Sequence, residues 1–355
     1  MMKPTPLEQI IVAMIREDGP IPLDRYMALC LGHPVHGYYM SRDPFGPEGD
    51  FITAPEISQI FGELIGIWCA AAFQALGAPD EFHLIELGPG RGTLMSDMLR
   101  ASRVMPGFRD GVRIHLVETS PALRKLQAAR LGQTITWHDS LATLPDGPSI
   151  VIANEFFDAL PIRQFESRNG QWMERRIGLG ADDRLVIGLS AQHLDRPPGT
   201  DGDILESAPL RDDIARELGS RLAASPGVAL VIDYGHAASA LGDTLQAVRR
   251  HKFCSILDRP GEADLTSHVD FESLGNALRQ GGALPHGPIT QRQFLLSMGL
   301  EARAALLTQK AKLPERNVIG RAVERLAGEN QMGNLFKVLA ATSPGLPTPY
   351  PFGSP

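Results

Sequence analysis

The sequence predicts an α/β fold: a doubly wound, mostly parallel sheet preceded by a helical segment and interrupted by a β-rich insertion. Two observations predict the sheet. Apolar runs of strand length recur from residue 83 onwards, and helical patterns separate them. In addition, the first run, at 83–87, leads directly into a glycine-rich turn. This order is typical of βαβ units, in which ligands bind at the carboxyl ends of the strands.

Each predicted element follows from a local pattern. Residues 7–17 place apolar side chains at helical spacing, which predicts an amphipathic first helix. Residues 164–189 alternate polar and apolar side chains around Asn169-Gly170, which predicts antiparallel hairpins. The strand-like apolar runs lie at 83–87, 112–117, 135–137, 149–153, 228–232 and 335–341.

These patterns divide the chain into four regions. We predict an N-terminal helical segment at 1–80, closing over the ligand site, and an inserted hairpin and helix subdomain at 164–225 on the substrate side. The predicted α/β core comprises 81–163 and 226–342. The last region, 343–355, is rich in proline and is expected to be disordered.

Composition limits the class of protein. A chain of 355 residues with 43% hydrophobic and 21% charged residues is long enough for one elaborated domain or two. A net charge of -7 argues against a nucleic-acid partner. Three scattered cysteines without a C-x-x-C pattern predict neither disulfides nor a metal site. The sequence has no apolar run of membrane-spanning length and no evident signal or transit peptide, so we expect a cytoplasmic protein of bacterial type without membrane insertion.

The turn after the first strand has the pattern E-x-G-x-G-x-G, beginning at Glu86. It differs from the dinucleotide fingerprint G-x-G-x-x-G, and it fits S-adenosylmethionine better. Gly88, Gly90 and Gly92 would let the backbone pass close to the ligand, and Glu86 would face its sulfonium and ammonium charges. The other interpretation is an ordinary tight strand-to-helix connection.

Two further acids follow the next strands. Glu118 ends the run at 112–117, at roughly the spacing expected of an acid that binds ribose hydroxyls. Asp139 follows the third run and could accept from an adenine amino group, cap the next helix, or do both.

The fourth and fifth runs also end in polar residues, which makes the predicted rim strongly acidic. A single carboxylate at a strand end is usually a cap or a solvated turn residue, but so many on one rim indicate cationic ligands. The fourth run is followed by Asn154, Glu155 and Asp158, and the fifth by Asp233, Tyr234 and His236.

Five motifs lie at 37–39, 49–58, 86–92, 154–161 and 264–271, spread over nearly the whole chain. Together they resemble the MidA family, which contains the mitochondrial complex I assembly methyltransferase. The resemblance implies a class I S-adenosylmethionine-dependent methyltransferase that acts on a protein arginine, with a respiratory NADH dehydrogenase subunit as the substrate in the mitochondrial member. The protein substrate is then the partner, and the sequence is compatible with an oligomer.

The resemblance implies roles for individual residues near the cofactor. The three glycines match the cofactor loop, and Glu118 matches the ribose acid. Thr53 and Pro55 match a segment that closes over the cofactor, and we expect them near its methionyl end. The alternative for Thr53 and Pro55 is that they start the following helix.

On the acceptor side, Asn154, Glu155 and Asp158 fall in the family signature that follows the fourth strand. Glu155 and Asp158 could orient a guanidinium and draw off its proton, or they could simply cap the turn. Further acceptor-pocket candidates are Tyr234, His236, His268 and Asp270.

Two other classes of function compete with this prediction. A non-catalytic assembly or scaffold protein could keep the same fold, although intact glycines and Glu118 argue against it. An oxidoreductase that uses NAD is disfavoured by the glycine spacing and by Glu86, which would repel a pyrophosphate.

Overall fold

The structure is a computed structural model that describes residues 3–41, 53–132, 135–191, 194 and 196–353. The α-helices are α1 (Pro6–Asp18), α2 (Leu23–Gly32), α3 (Tyr38–Ser41), α4 (Ala54–Ile57), α5 (Gln59–Ala75), α6 (Thr93–Ala101), α7 (Phe108–Gly111), α8 (Pro121–Leu131), α9 (Pro209–Ala224), α10 (Phe271–Gln280), α11 (Gln291–Ser297), α12 (Leu300–Lys310), α13 (Leu313–Ala327) and α14 (Met332–Leu335). Single 3-10 turns occupy Ser102–Val104 and Leu141–Thr143.

The strands alternate with these helices over much of the chain. They are β1 (Ile21–Pro22), β2 (Phe82–Leu87), β3 (Val112–Val117), β4 (Ile135–His138), β5 (Ser149–Asn154), β6 (Arg163–Arg168), β7 (Gln171–Leu179), β8 (Leu185–Ala191), β9 (Ile204–Ser207), β10 (Gly227–His236), β11 (Gln246–Arg249), β12 (Lys252–Cys254), β13 (Asp264–Thr266), β14 (Val269–Asp270), β15 (Leu284–Thr290) and β16 (Phe336–Thr342).

The chain forms two compact units, each assembled from three separate stretches. The first unit contains residues 1–51, 158–211 and 239–268, and the second contains the remainder. These boundaries differ from those the sequence predicts. Helix α5, predicted to belong to the N-terminal segment, is part of the second unit, because side chains such as Ile65 and Trp68 are buried in its core.

The second unit is built on a sheet with the order β15-β16-β10-β5-β2-β3-β4. Strands β10, β5, β2, β3 and β4 run parallel to their neighbours, whereas β16 is antiparallel to β10 and β15 to β16. Every residue of β2 and β5 is buried, as expected of central parallel strands with both faces covered. The predicted mostly parallel α/β sheet is therefore confirmed.

Strand β10 is longer than predicted. The sequence places Asp233 to His236 in a cap after the strand, but the strand continues through His236. Its last residues pair with distant segments, Tyr234 with Phe336 of β16 and His236 with Asp270 of β14. This long-range pairing overrides the local turn signal.

Three histidines form a hydrogen-bonded chain across β2, β3 and β4. His83 Nε2 lies 3.1 Å from the Asp146 carbonyl, which can only accept, so His83 Nδ1 must accept from His115 Nε2 at 3.0 Å. His115 Nδ1 then accepts from His138 Nε2 at 3.0 Å. His138 Nδ1 lies 2.9 Å from Thr143 Oγ1, which donates to the Ser140 carbonyl at 3.3 Å. We call His83, His115 and His138 the histidine ladder; it requires the rings of His83 and His115 to be neutral, because their Nδ1 atoms accept.

The C-terminal residues pack on the second unit as far as Gly353, the last residue described, where the sequence predicts a disordered tail. The Tyr350 carbonyl accepts from Trp68 Nε1 at 3.0 Å, and the Phe352 ring lies 6.2 Å from that of Phe294. Composition alone predicted disorder, but these contacts hold a proline-rich segment in place.

The first unit contains an antiparallel sheet of order β1-β7-β6-β9, with β8 paired to β7. Its β6–β7 turn places Asn169 and Gly170 at φ 52° and 72°, the left-handed geometry of a type I′ hairpin, in agreement with the predicted hairpins. A second sheet has the order β12-β11-β13. In the described part of both units, no helix is long and apolar enough to cross a membrane.

Candidate functional site

The glycine loop begins where β2 ends and leads into α6. Gly88, Gly90 and Gly92 have φ values of 62°, 52° and 74°, a region that residues with a Cβ rarely adopt. A Cβ on Gly88 would also lie 2.9 Å from Cδ2 of Phe156. Strain and steric contact therefore both require glycine at 88. We call the backbone of residues 88–92 the glycine cradle.

Glu86 presents a buried acceptor beside this cradle. The residue is only 3% exposed, and its Oε2 has no hydrogen-bond partner among the described residues. Burial raises the pKa of the Glu86 carboxyl to about 8. A buried acceptor without a donor is costly, so the site suits a cationic or N–H-bearing ligand.

Glu118, at the end of β3, is linked to the glycine loop through a residue that the sequence did not single out. Its Oε1 accepts from Ser120 N at 2.8 Å, and its Oε2 accepts from Gln127 Nε2 at 3.3 Å. Gln127 also donates to the Gly90 carbonyl at 2.7 Å. Burial raises the pKa of Glu118, and these hydrogen bonds oppose the rise. A glutamine inside a helix carries no local signal for this bridging position.

Asp139 lies at the exposed edge of the site. Its Oδ1 accepts from Arg124 Nη2 at 2.6 Å, and Arg124 Nε also donates to the Glu118 carbonyl at 2.7 Å. Among the described residues Asp139 makes no helix-capping bond. Contact with an adenine stays a prediction.

Helix α4 carries the second half of the 49–58 motif, whose residues 49–52, with Asp50, lie outside the described part. Thr53 precedes the helix without a side-chain cap bond, and Pro55 is buried. Glu56 Oε1 accepts from Thr93 Oγ1 at 2.5 Å, at the point where the glycine loop becomes α6. The helix therefore packs on the loop, which is compatible with both readings of Thr53 and Pro55.

The end of β5 carries the predicted acceptor residues Asn154 and Glu155. Glu155 adopts a left-handed φ of 49°, and its Oε1 accepts from Ala54 N at 2.9 Å and from Asn154 Nδ2 at 3.2 Å. Glu155 therefore caps α4, a contact that the sequence did not predict. Asn154 is 7% exposed, and its Oδ1 has no partner among the described residues.

The candidates on β10 and after it make largely structural contacts. The Tyr234 ring is buried, 5.4 Å from that of Phe336. Asp270 caps α10 by accepting from Glu272 N and Ser273 N at 3.0 Å, and it lies 3.9 Å from His236 Nε2. Asp233 accepts from Phe157 N at 3.1 Å and fixes the turn after β5.

Asp158 and His268 belong to the first unit and are described within it. Asp158 is buried, and its carbonyl accepts from Ser267 N at 3.1 Å. His268 N donates to Thr244 Oγ1 at 2.9 Å. The structure thus gathers the two loops that carry Asp158 and His268 in one unit.

Three features occur together: the parallel sheet, the glycine cradle after β2, and the buried acids Glu86 and Glu118 at the ends of β2 and β3. They define a class I methyltransferase that binds S-adenosylmethionine. The donor set fits this cofactor, because Glu86 Oε2 is a buried acceptor without a partner among the described residues, and the three glycines hold the loop in left-handed geometry next to it. In the described residues, no group of histidine, cysteine and acidic side chains is arranged to hold a metal.

Comparison with known proteins identifies the family. A family model of S-adenosyl-L-methionine-dependent methyltransferases matches residues 64–289, and this chain belongs to that family. The family predicted by the motifs is therefore confirmed. A crystal structure from Burkholderia thailandensis, bound to S-adenosyl-homocysteine, has a TM-score of 0.82 and 26% identity, covering 98% of this chain and 96% of that one.

Relatives of known name match over almost the whole chain. The Drosophila melanogaster protein arginine methyltransferase NDUFAF7 homolog, mitochondrial, is 39% identical over 92% of this chain and 83% of its own length. The human protein arginine methyltransferase NDUFAF7, mitochondrial, is 36% identical over 95% of this chain and 83% of its own length. These mitochondrial relatives overturn the cytoplasmic location predicted from the sequence.

Proposed function

We propose that this protein transfers a methyl group to a guanidinium nitrogen of an arginine in another protein, with a subunit of the respiratory NADH dehydrogenase as the substrate. The observation that carries the arginine acceptor is the activity named for relatives that are 36–39% identical over at least 92% of this chain. The family resemblance of the five motifs supports the NADH dehydrogenase subunit.

The end of β5 supports this acceptor with a specific atom. Because Asn154 Nδ2 donates to Glu155, the opposite side of the amide, Oδ1, is left to accept from a ligand. A guanidinium has five N–H donors and no acceptor, so it is the kind of group that a buried, unpaired carbonyl oxygen binds. We assign Asn154 to orient the arginine.

The two carboxylates predicted to be catalytic take different roles in this proposal. Glu155 holds Asn154 and the start of α4, and its negative charge favours a cation at the strand end. A guanidinium stays protonated at neutral pH, so a proton must leave as the new N–C bond forms. Asp158 belongs to the other unit, and its role as a base stays a prediction from the sequence.

When bound, S-adenosylmethionine supplies a methyl carbon that is activated by a sulfonium sulfur. The residues of the chain then have to position the acceptor nitrogen, exclude water and keep the cofactor oriented. Gly88, Glu86 and Glu118 are assigned to the cofactor, and Asn154 to the acceptor, so the two sets of residues can be tested separately.

Replacing Asn154 with alanine is expected to lower kcat about 100-fold, as does the loss of one oriented hydrogen bond in other active sites. The affinity for S-adenosylmethionine should stay at the wild-type value. Glu155→Gln should lower turnover less, because the amide oxygen can still accept from Ala54 N. Calorimetric titration with the cofactor and steady-state kinetics separate these effects. Loss of cofactor binding in either variant would move that residue to the cofactor side.

Label transfer tests the proposed activity itself. The purified protein is incubated with methyl-labelled S-adenosylmethionine and a fraction enriched in respiratory NADH dehydrogenase, and the modified residue is mapped by mass spectrometry. Label on an arginine of a dehydrogenase subunit supports the proposal. Label on another residue type refutes the arginine acceptor, and cofactor binding without any transfer supports a scaffold protein.

A further inference from the structure

We propose that Arg211 is a positioning residue for the protein acceptor: from the first turn of α9 it fixes the two loops that carry Asp158 and His268. This inference rests on the proposed function, since it assigns these loops to the acceptor. Neither the motifs nor the patterns of the sequence indicate a role for Arg211.

The Arg211 guanidinium is buried and donates to both loops at once. The residue is 4% exposed. Its Nη1 donates to the His268 carbonyl at 2.8 Å, and its Nη2 donates to the Asp158 carbonyl at 3.0 Å and to Ser267 Oγ at 2.6 Å. Nη2 also donates to the Leu160 carbonyl at 3.2 Å. One side chain thus ties residues 158–160 to residues 267–268.

These hydrogen bonds fix the backbone of Asp158 and His268, the two residues of these loops that are predicted to contact the methyl acceptor. The Asp158 carbonyl accepts from Ser267 N as well as from Arg211. His268 is held on both sides, since its N–H donates to Thr244 Oγ1 and its carbonyl accepts from Arg211. Removing the guanidinium would leave several buried carbonyls with one donor fewer.

The position of Arg211 argues that the loops, and not the helix, determine its identity. A cation in the first turn of a helix is repelled by the positive end of the helix dipole. Arg216, on the same helix, shows the usual arrangement, because it is exposed and pairs with Asp213 at 2.7 Å. A lysine at 211 could keep the charge but could not present a planar fork to acceptors on two loops.

The test compares Arg211→Lys with the matched control Arg216→Lys in the full-length protein. The acceptor is the protein identified by label transfer from methyl-labelled S-adenosylmethionine, whichever residue carries the label. We expect Arg211→Lys to raise KM for that acceptor at least tenfold and to leave the dissociation constant of S-adenosylmethionine, measured by calorimetry, within twofold of the wild type. Arg216→Lys should change neither quantity.

Two results would overturn the role of Arg211. One is an unchanged KM for the acceptor in Arg211→Lys. The other is a loss of cofactor affinity by the same factor as the rise in KM for the acceptor, which would indicate general destabilisation. If Arg211→Lys does not fold, Arg211→Gln, which keeps one N–H donor group, is measured in the same way. Label on a residue other than arginine would refute the proposed arginine acceptor, while the ratio of KM values would still test Arg211.

Discussion

Replacing Gly88 with alanine is expected to weaken the binding of S-adenosylmethionine about 100-fold. The residue has φ 62°, and a non-glycine residue in a sparsely populated backbone region costs about 1–3 kcal/mol. The new Cβ would also lie 2.9 Å from Phe156 Cδ2, so the ring or the loop must move. The free loop can relax to relieve this contact, whereas the bound loop has to keep the glycine geometry, so the cost falls on binding. A cost of about 2.7 kcal/mol on binding corresponds to 100-fold in affinity.

The matched control for this substitution is Gly132→Ala. Gly132 has a similar φ of 53°, but nothing lies within 4 Å of its added Cβ, and the residue is the C-cap of α8. Both variants should lose some stability, whereas only Gly88→Ala should lose cofactor affinity in a calorimetric titration. Equal affinities for the two variants would show that the loop does not form the cofactor cradle.

Acidification is expected to remove the stability that the histidine ladder contributes to the second unit. Glu86, whose pKa burial raises to about 8, changes stability in the opposite direction over the same range, so the ladder is tested by the difference between wild type and a histidine variant. Burial lowers the pKa values of His83 and His138, and that of His115 to about 4. The unfolded histidine has a pKa near 6.5, so below pH 6.5 the unfolded chain binds more protons than the folded chain. The contribution of these histidines to stability therefore decreases as the pH decreases. His115 alone accounts for a loss of about 3 kcal/mol between pH 7.5 and pH 4. Arg221 adds to the effect, since its positive charge disfavours protonation of all three rings.

Urea unfolding at a series of pH values measures this loss in a Trp172→Phe background. Trp172 belongs to the first unit, so the remaining fluorescence of Trp68 and Trp137 reports on the second unit. The variant His115→Gln removes the central titrating group. Between pH 7.5 and pH 4 it should therefore lose about 3 kcal/mol less stability than the wild type. His251→Gln replaces an exposed histidine in the β11–β12 turn and should follow the wild type. Parallel pH profiles for wild type and His115→Gln would exclude the ladder as the cause.

The parallel strands of the core could be predicted to within a few residues because buried parallel strands are short apolar runs bounded by turn residues. The edge strand β15 was not predicted, because its sequence contains two prolines and a glycine. The end of β10 could not be predicted, because Asp233 to His236 are local turn formers whose pairing partners, Phe336 and Asp270, are distant in sequence. The same limit applies to the C-terminal segment, where Trp68 holds Tyr350 from 282 residues away.

The positions of the glycine turn and of Glu118 could be predicted because they follow the chain order, with a strand, a glycine turn, a second strand and an acid. Their roles towards the cofactor stay predictions. The contacts made by the acceptor-side residues could not be predicted. Glu155 reads as a catalytic carboxylate, yet it caps α4 through Ala54, 101 residues earlier. Gln127 and Arg211 gave no motif at all, although an arginine in the first turn of a helix is a signal that could have been followed.

The three-part construction of the first unit has a consequence during synthesis on the ribosome. Its core joins Leu7 and Ile11 of the first stretch to Ile177 of the second and Leu265 of the third. Residues 1–51 must therefore wait until residue 268 has been added, roughly 10 to 40 s at ordinary elongation rates. Throughout that interval the apolar face of α1 lacks its partners from the second and third stretches, and this exposed apolar surface is the kind that chaperones bind.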